Sequence, residues 1–231
     1  MHHNPDCLST QPVPEGRRIV FLDVDGTLID SFPGIREGYL QALDSVGVAH
    51  PDEEFIRRIP GPPMEVTLRN SGLNEQQVTE AFGAYMDYTR SGQAPRATAF
   101  PGVEKLLSQW KREGLYLSTA TSKGEHFARL TLEELGLLQH LDFLAAATED
   151  GPRRDKASVI DYALSSLGLT DRTGDILMVG DRLHDVEGAR AHGLSTCIVT
   201  WGYGAPEEWE HADFVAHSPE ELARIVHEFT S

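Results

Sequence analysis

Two acidic residues, Asp23 and Asp25, stand one residue apart directly after the apolar run 18–22. Because the chain bends into a loop at the end of a strand, both carboxylates can face one pocket above the sheet edge. One could attack phosphorus and hold a metal ion while the other handles a proton, and the Gly26 and Thr27 amides are free to bind phosphate oxygens. An ordinary Asp-Gly turn would explain one of the two acids. It does not explain a second acid at the end of a buried strand, where an unpaired charge is costly. The pattern therefore predicts a phosphoryl-transfer site.

A second pair of acids follows another apolar run, in the sequence VGDRLHD. Asp181 comes immediately after that run, and Asp185 comes four residues later. Two acids from separate strand ends, together with a backbone oxygen, form the all-oxygen ligand set that suits Mg²⁺. Asp181 is therefore a predicted metal ligand, whereas capping the helix predicted over 186–192 is an equal alternative for Asp185.

A hydroxyl and a lysine occupy two further strand-to-helix connections. Thr121, in TATSK, is predicted to end a strand and open a helix, so its hydroxyl and the first-turn amides would meet a phosphate held at Asp23. Capping that helix is the alternative for Thr121. Lys156, in RRDK, precedes the next helix, where a cation would neutralise charge on the transferring group. A solvated charge cluster is the alternative for that run.

From about residue 100 onward, the pattern of amphipathic helix, glycine and short apolar strand occurs four times. The helices are predicted to end at glycines that suit a left-handed cap, namely Gly114, Gly136, Gly168 and Gly193. The apolar runs are typical of strands covered on both faces, and they lie at 115–121, 143–148, 175–180 and 195–201. With the run 18–22 they predict about five central strands in a doubly wound α/β fold with a parallel sheet.

Residues 33–97 differ from the rest because they are predicted to be helical throughout. The expected helices cover 34–46, 52–59, 63–70 and 74–90, separated by glycine and proline. A helical insertion after the first strand's loop would lie above the carboxyl ends of the strands, where open α/β sheets bind ligands, so we expect a lid. The predicted organisation is a disordered tail over 1–16, a core over 17–32 and 98–231, and an all-helical cap over 33–97.

Composition narrows the class of partner. The 231 residues include 20 basic and 36 acidic ones, and the net charge of −16 repels nucleic acid and anionic membrane surfaces. No segment approaches the ~20 apolar residues that span a bilayer, and the two cysteines form no disulfide framework. We therefore expect a cytoplasmic monomer or homodimer whose partner is a small phosphorylated metabolite.

Taken together and in order, the four motifs FLDVDGTLID, TATSK, RRDK and VGDRLHD resemble the haloacid dehalogenase superfamily. The resemblance covers residues 19 to about 215 and implies a Rossmann-like core. The helical insertion is similar to the C1-type cap of that superfamily. Its subgroup looks like the phosphoglycolate phosphatase-like enzymes, including 5'-nucleotidase-like members with a similar Gly-Pro-Pro cap loop.

The resemblance implies a role for each acid. Asp23 would be the nucleophile that forms an aspartyl-phosphate, and Asp25 would protonate the leaving oxygen and then activate water. Mg²⁺ would be held by a carboxylate oxygen of Asp23, the backbone carbonyl of Asp25 and the carboxylate of Asp181. Asp185 would orient a metal-bound water or Lys156. The dehalogenases of the superfamily lack the second acid, so the presence of Asp25 argues against a dehalogenase activity.

The resemblance also implies a phosphate site. The hydroxyl of Thr121 would bind the phosphoryl group together with the amides of Gly26, Thr27 and Ser122, and Lys156 would balance its charge. The negative charge that the whole chain presents to a phosphate is thereby offset locally by one lysine and one divalent cation.

The function indicated is Mg²⁺-dependent hydrolysis of a small phosphomonoester. A phosphosugar mutase of the β-phosphoglucomutase type and a non-catalytic phosphate-binding protein are the alternatives. Phosphoglycolate and nucleoside monophosphates are the expected substrates. The first would need a cation from the cap and the second an aromatic side chain, and the candidates are Arg57, Arg58 and Arg69 for the cation and Phe55, Tyr85 and Tyr88 for the ring.

Overall fold

The computed structural model describes residues 13–94, 96–149 and 151–229. Its strands are β1 Ile19–Leu22, β2 Ile29–Asp30, β3 Thr98–Ala99, β4 Tyr116–Thr119, β5 Thr121–Gly124, β6 Ala146–Ala147, β7 Ile176–Gly180, β8 Ser195–Val199 and β9 Phe214–Ala216. Its helices are α1 Phe32–Ser45, α2 Glu53–Arg57, α3 Met64–Asn70, α4 Glu75–Arg90, α5 Val103–Arg112, α6 Glu125–Glu134, α7 Lys156–Leu167, α8 Leu183–Arg190, α9 Pro206–Trp209 and α10 Pro219–Phe229.

The predicted parallel sheet is present. Within the described residues it has five strands in the order β4-β1-β7-β8-β9, and every pair is parallel. Val20 and Leu22 of β1 belong to one apolar cluster, and Ile19 and Phe21 belong to another. Because alternate residues of a strand face opposite sides, β1 is covered on both faces, and each such side chain contributes about 1.5–3 kcal/mol by burial. The first motif thus follows one of the most deeply buried strands.

The membership of the sheet differs from the prediction at both edges. The run 143–148 was expected to be a central strand, but it lies at the edge beside β4, where the amide of Thr119 donates to the carbonyl of Phe143 at 3.0 Å and the amide of Thr121 donates to that of Ala145 at 3.2 Å. Its last residues form β6, which pairs with β5. The Asp142 carboxylate accepts the amide hydrogen of Leu117 and so takes a bond that a regular ladder would use. The fifth strand is β9, which was not predicted because it is short and partly exposed.

The four glycine helix ends are confirmed. Gly114, Gly136, Gly168 and Gly193 have φ angles of 84°, 67°, 65° and 72°, which is the left-handed region. Each glycine therefore ends its helix and releases the chain toward the next element.

Helices α1 to α4 form a group with its own apolar interior. Their bounds all lie within two residues of the predicted ones. Tyr39, Leu43, Ile56 and Leu68 are among the buried residues of a cluster formed only by this helical segment, 32–90. The short antiparallel pair β2–β3 connects it to the sheet. The segment therefore follows the first motif and carries its own core, although its treatment as a separate cap stays a prediction.

The amino-terminal tail is only partly described. The predicted disorder over 1–12 lies outside the described residues. Val13, which was placed in the same disordered tail, is buried, and its amide donates to the carbonyl of Leu167 at 3.1 Å. None of the helices in the described part of the chain is both long and apolar enough to cross a bilayer.

Candidate active site

Lys156 joins the first and fourth motifs. It is the first residue of α7, and its Nζ lies 2.7 Å from Oδ1 of Asp23 and 2.8 Å from Oδ1 of Asp185. It also donates to the carbonyl of Ala120 at 2.6 Å. Burial alone would lower the pKa of Lys156, but the carboxylates of Asp185 and Asp23 raise it above its usual value. The lysine is therefore a buried cation shared between two carboxylates, not part of a solvated cluster.

Asp181 directly follows β7, and Asp185 lies in the first turn of α8. Thr27 Oγ1 donates to Asp181 Oδ1 at 3.4 Å, and the amide of Tyr203 donates to Asp181 Oδ2 at 2.7 Å. Asp185 Oδ2 accepts the amides of Asp181 and Arg182, both at 3.0 Å. Since its other oxygen faces Lys156, Asp185 both caps the start of α8 and orients the lysine.

The acidic cluster fits a divalent cation. Asp23, Asp181 and Asp185 are buried, and one carboxylate oxygen from each lies within 4.8 Å of the others. Burial raises the pKa of Asp23 to about 6 although Lys156 opposes this change. Burial, followed by repulsion from Asp185 and Asp23, raises the pKa of Asp181 well above its usual value. The three carboxylates carry more negative charge than Lys156 can neutralise. Carboxylate oxygens of this kind are the ligands that divalent cations such as Mg²⁺ prefer.

Asp25 faces a partner that the sequence did not reveal. Lys123 Nζ lies 3.1 Å from Asp25 Oδ1 and 3.3 Å from Oδ2. Lys123 belongs to β5, and both residues line the same cavity as Asp23. The motif TATSK contained this lysine, but no spacing rule indicated which carboxylate it would meet.

The second motif has a different local structure from the predicted one. Thr121 and Ser122 lie in β5, and α6 begins only at Glu125, with Gly124 as its N-cap residue. The prediction that Thr121 opens a helix is therefore wrong, and so is its alternative as that helix's cap. Its hydroxyl instead accepts the amide of Lys123 at 3.2 Å. The residue nevertheless faces the cavity with Asp23, because β5 continues past the sheet edge.

The loop after β1 packs tightly against Asp181 of the acidic cluster. Gly26 has a φ of 86°, and a Cβ atom there would lie 2.3 Å from Asp181 Oδ2. The Thr27 side chain is buried against the same carboxylate. Only glycine allows the first and fourth motifs to approach this closely.

A cavity of about 130 Å³ lies between the sheet edge and the helical segment. Its core side carries Asp23, Asp25, Thr121 and Ser122, and its other side is formed by the loop 59–63 together with α3 and α4. Of the six substrate candidates named from the sequence, Tyr85 lines the cavity and Arg57, Arg58, Arg69, Phe55 and Tyr88 do not. The described cavity thus places the predicted reacting groups and the helical segment face to face.

The chain matches the family described as haloacid dehalogenase-like hydrolase over residues 19–199. It belongs to that family. In sequence it is similar to the tyrosine-protein kinase PtkA of Mycobacterium tuberculosis, with 42% identity over 87% of this chain and 66% of that protein, so it spans slightly less than two thirds of this relative. It is 31% identical to a 5'-nucleotidase of Pseudomonas aeruginosa, over 87% of this chain and 88% of that one.

In structure, this haloacid dehalogenase-like hydrolase resembles a predicted phosphatase from Clostridium acetobutylicum. The TM-score is 0.86 at 32% identity, and the match covers 92% of this chain and 99% of the other. The 5'-nucleotidase and this predicted phosphatase are therefore each similar to the chain over most of its length and of their own.

Arg182 connects the fourth motif of this hydrolase to the loop over its cavity. Its Nη1 donates to the carbonyls of Pro60 and, at 3.3 Å, Arg58, while its Nε lies 3.1 Å from Glu208 Oε2. The Glu208 carboxylate also accepts the amide of Leu183 at 2.6 Å. The role of this arginine was left open by the sequence, because its partners are two backbone carbonyls of the helical segment and a carboxylate 26 positions away.

Tyr203 makes a second connection of this kind, which no motif or spacing had indicated. Its amide binds Asp181, and its hydroxyl accepts the amides of Ser31 at 2.8 Å and Phe32 at 3.1 Å while donating to Asp30 at 2.9 Å. One residue therefore supports both the acidic cluster and the start of the helical segment.

Proposed function

We propose that the protein is a Mg²⁺-dependent phosphatase that hydrolyses a small phosphomonoester through a phosphorylated Asp23. The observation that carries this proposal is the pair Asp23 and Asp25 on one cavity wall, with Lys156 held against the first carboxylate. The family and its phosphatase relatives support the reaction class.

The side chains divide the chemistry between them. A carboxylate oxygen of Asp23 attacks phosphorus, the bond to the ester oxygen breaks, and that oxygen takes a proton from Asp25. Asp25 then accepts a proton from the water that attacks the phosphoryl-aspartate, so the products are an alcohol and inorganic phosphate and Asp23 is restored. Lys156 offsets the negative charge that the phosphoryl group brings to Asp23.

The phosphoryl oxygens are bound by the hydroxyl of Thr121 and by the amides of Gly26, Thr27 and Ser122 in this proposal. Mg²⁺, when bound, would supply positive charge at the phosphoryl oxygens, with Asp23, Asp181 and the carbonyl of Asp25 as its protein ligands. Asp185 holds Lys156 in place, as its contacts indicate.

The substrate proposed is a small phosphorylated metabolite, either phosphoglycolate or a nucleoside monophosphate. The relative named 5'-nucleotidase supports the second class. Residues 33–97 act as the cap in this proposal, and the enzyme is a cytoplasmic monomer or homodimer.

The relative named tyrosine-protein kinase favours a second candidate, in which a tyrosine hydroxyl and not water accepts the phosphoryl group. A sugar hydroxyl would be the acceptor in a phosphosugar mutase. Both use the same attack by Asp23 and differ in the second step. Release of inorganic phosphate at the rate of substrate loss supports hydrolysis, whereas loss without release supports transfer.

The direct test is turnover of p-nitrophenyl phosphate with and without Mg²⁺. We expect Mg²⁺-dependent release of p-nitrophenol by the native protein and at least 10³-fold less by Asp23→Asn, since the amide cannot act as nucleophile. Asp161→Asn, an exposed change on α7, is the matched control and should retain activity. Equal activity of Asp23→Asn and the native protein would contradict the proposal.

A further inference from the structure

An ion pair between Arg154 and Glu65 spans the cavity from the core to the helical segment. Glu65 lies in the first turn of α3, and Arg154 lies in the loop before α7. The guanidinium also donates to the carbonyls of Thr148 at 2.9 Å and Glu149 at 2.6 Å. Arg154 is thus held in place by the core, and Glu65 neutralises it from the opposite side.

One oxygen of Glu65 has no partner. Its Oε1 accepts from Arg154, but its Oε2 is buried and accepts no hydrogen bond from the described residues. Both residues line the cavity that contains Asp23 and Asp25. A buried carboxylate oxygen is costly unless a donor meets it, so a donor on the bound substrate fits this position.

The cavity has no unpaired cation, among its described lining residues, that could bind a negatively charged leaving group. Lys123, the other cation among its described lining residues, is paired with Asp25, as Arg154 is with Glu65. Beyond these pairs the wall is largely apolar, with the side chains of Ile59, Met64, Phe82, Tyr85 and Met86 on the helical segment.

The arginines considered for binding a carboxylate, Arg57, Arg58 and Arg69, do not line the cavity. Arg58 lies 2.9 Å from Glu54 and Arg69 lies 2.8 Å from Glu75, and both side chains are exposed. A carboxylate next to the phosphoryl site would therefore meet no unpaired cation among the described lining residues.

We propose that Glu65 determines which alcohol this phosphatase releases. It accepts a hydrogen bond from a hydroxyl of the leaving group, and by neutralising Arg154 it disfavours leaving groups that carry a carboxylate. The substrate class is a phosphomonoester of an uncharged, hydroxyl-bearing alcohol with a flat or apolar face, such as a nucleoside. This inference rests on the proposed function and selects between its two substrate classes.

The test compares three substrates: adenosine 5'-monophosphate, phosphoglycolate and p-nitrophenyl phosphate. In the native protein, kcat/KM should be higher for the nucleotide than for phosphoglycolate. Glu65→Ala removes the acceptor and frees Arg154, so kcat/KM for the nucleotide should fall at least tenfold, mainly through KM, while that for phosphoglycolate rises. Turnover of p-nitrophenyl phosphate, which has neither group, should change less than about threefold.

Two further variants separate recognition from folding. Glu65→Gln keeps the side chain's shape and an acceptor oxygen but loses the charge, so it should gain activity on phosphoglycolate with a smaller loss on the nucleotide. Adding Arg154→Met to Glu65→Ala should remove the gain on phosphoglycolate. Glu75→Gln, which breaks an exposed ion pair on the same segment, is the control and should leave all three rates unchanged.

The outcomes that overturn the inference differ from those that overturn the phosphatase proposal. A native preference for phosphoglycolate, or an equal loss on all three substrates in both Glu65 variants, would refute the specificity role while p-nitrophenyl phosphate turnover still supports the phosphatase. Absence of turnover of all three substrates by the native protein would refute the phosphatase proposal itself.

Discussion

Lys123 and Asp25 are 98 positions apart in the chain, yet Lys123 Nζ lies 3.1 Å from Asp25 Oδ1. Both side chains are largely buried in the wall of the cavity. Lys123 extends from the strand that carries Thr121, so the second motif contributes a cation as well as a hydroxyl. The lysine thereby fixes the orientation of the carboxylate that we propose as the general acid and base.

Lys123→Met should lower kcat more than it raises KM. The variant loses the contact that orients Asp25 toward the leaving oxygen, and we expect a loss of about tenfold to 100-fold, within the range of general acid–base contributions. Steady-state kinetics on p-nitrophenyl phosphate measure the split. Lys105→Met, an exposed change on α5, is the control, and equal kcat values for the two variants would remove Lys123 from the account.

Mg²⁺ should stabilise the native protein more than Asp181→Asn. The buried carboxylates of Asp23 and Asp181 repel each other, and a divalent cation bound only to the folded state raises its stability. Thermal unfolding with MgCl₂ or with EDTA measures this difference. A melting temperature that does not respond to Mg²⁺, or an equal response in Asp181→Asn, would contradict the assigned metal ligands.

Arg182→Met should raise KM more than it lowers kcat. Without this side chain the carbonyl of Pro60 loses its donor, and the loop over the cavity is no longer fastened to the fourth motif. We expect KM to rise about threefold to tenfold, because part of the binding energy is then used to order the loop. Arg224→Met, an exposed change on α10, is the control and should behave like the native protein.

Gly202→Ala should damage both stability and activity. A Cβ atom there would lie 2.3 Å from the carbonyl oxygen of Gly26 and 2.4 Å from Asp181, so the backbone or the carboxylate must shift. We expect a loss of about 1–3 kcal/mol in the free energy of unfolding, as for other overpacked sites. Gly83→Ala, at an open position of α4, should instead be neutral or stabilising by up to about 1 kcal/mol. Urea titration of both variants gives the comparison.

Elements that follow from local pattern were predictable from the sequence. The buried strand before Asp23, the glycine helix ends and the helices of the segment 32–90 depend on residues close together in the chain. Strand β9 was missed because three partly exposed edge residues give a weak signal. The continuation of the strand from Thr121 to Gly124 was missed because β5 forms by pairing with β6, which lies more than 20 residues further along the chain.

In the candidate site, too, some contacts could be predicted from the sequence and others could not. Asp23, Asp181 and Lys156 could be placed together because parallel strands bring their carboxyl ends to one edge. The contacts of Lys123, Arg182 and Glu65 could not be predicted, since each joins groups from distant segments and depends on how the helical segment packs over the sheet.

Asp23 is the residue that we expect to carry the phosphoryl group during turnover. The most direct measurement is rapid acid quenching of the protein during turnover of p-nitrophenyl phosphate, followed by mass spectrometry of the peptide that contains Asp23. We expect a phosphorylated Asp23 that forms in the native protein before steady-state release of phosphate and is absent from Asp23→Asn. Rapid turnover with no phosphorylated Asp23, or with the phosphoryl group on another residue, would contradict this expectation.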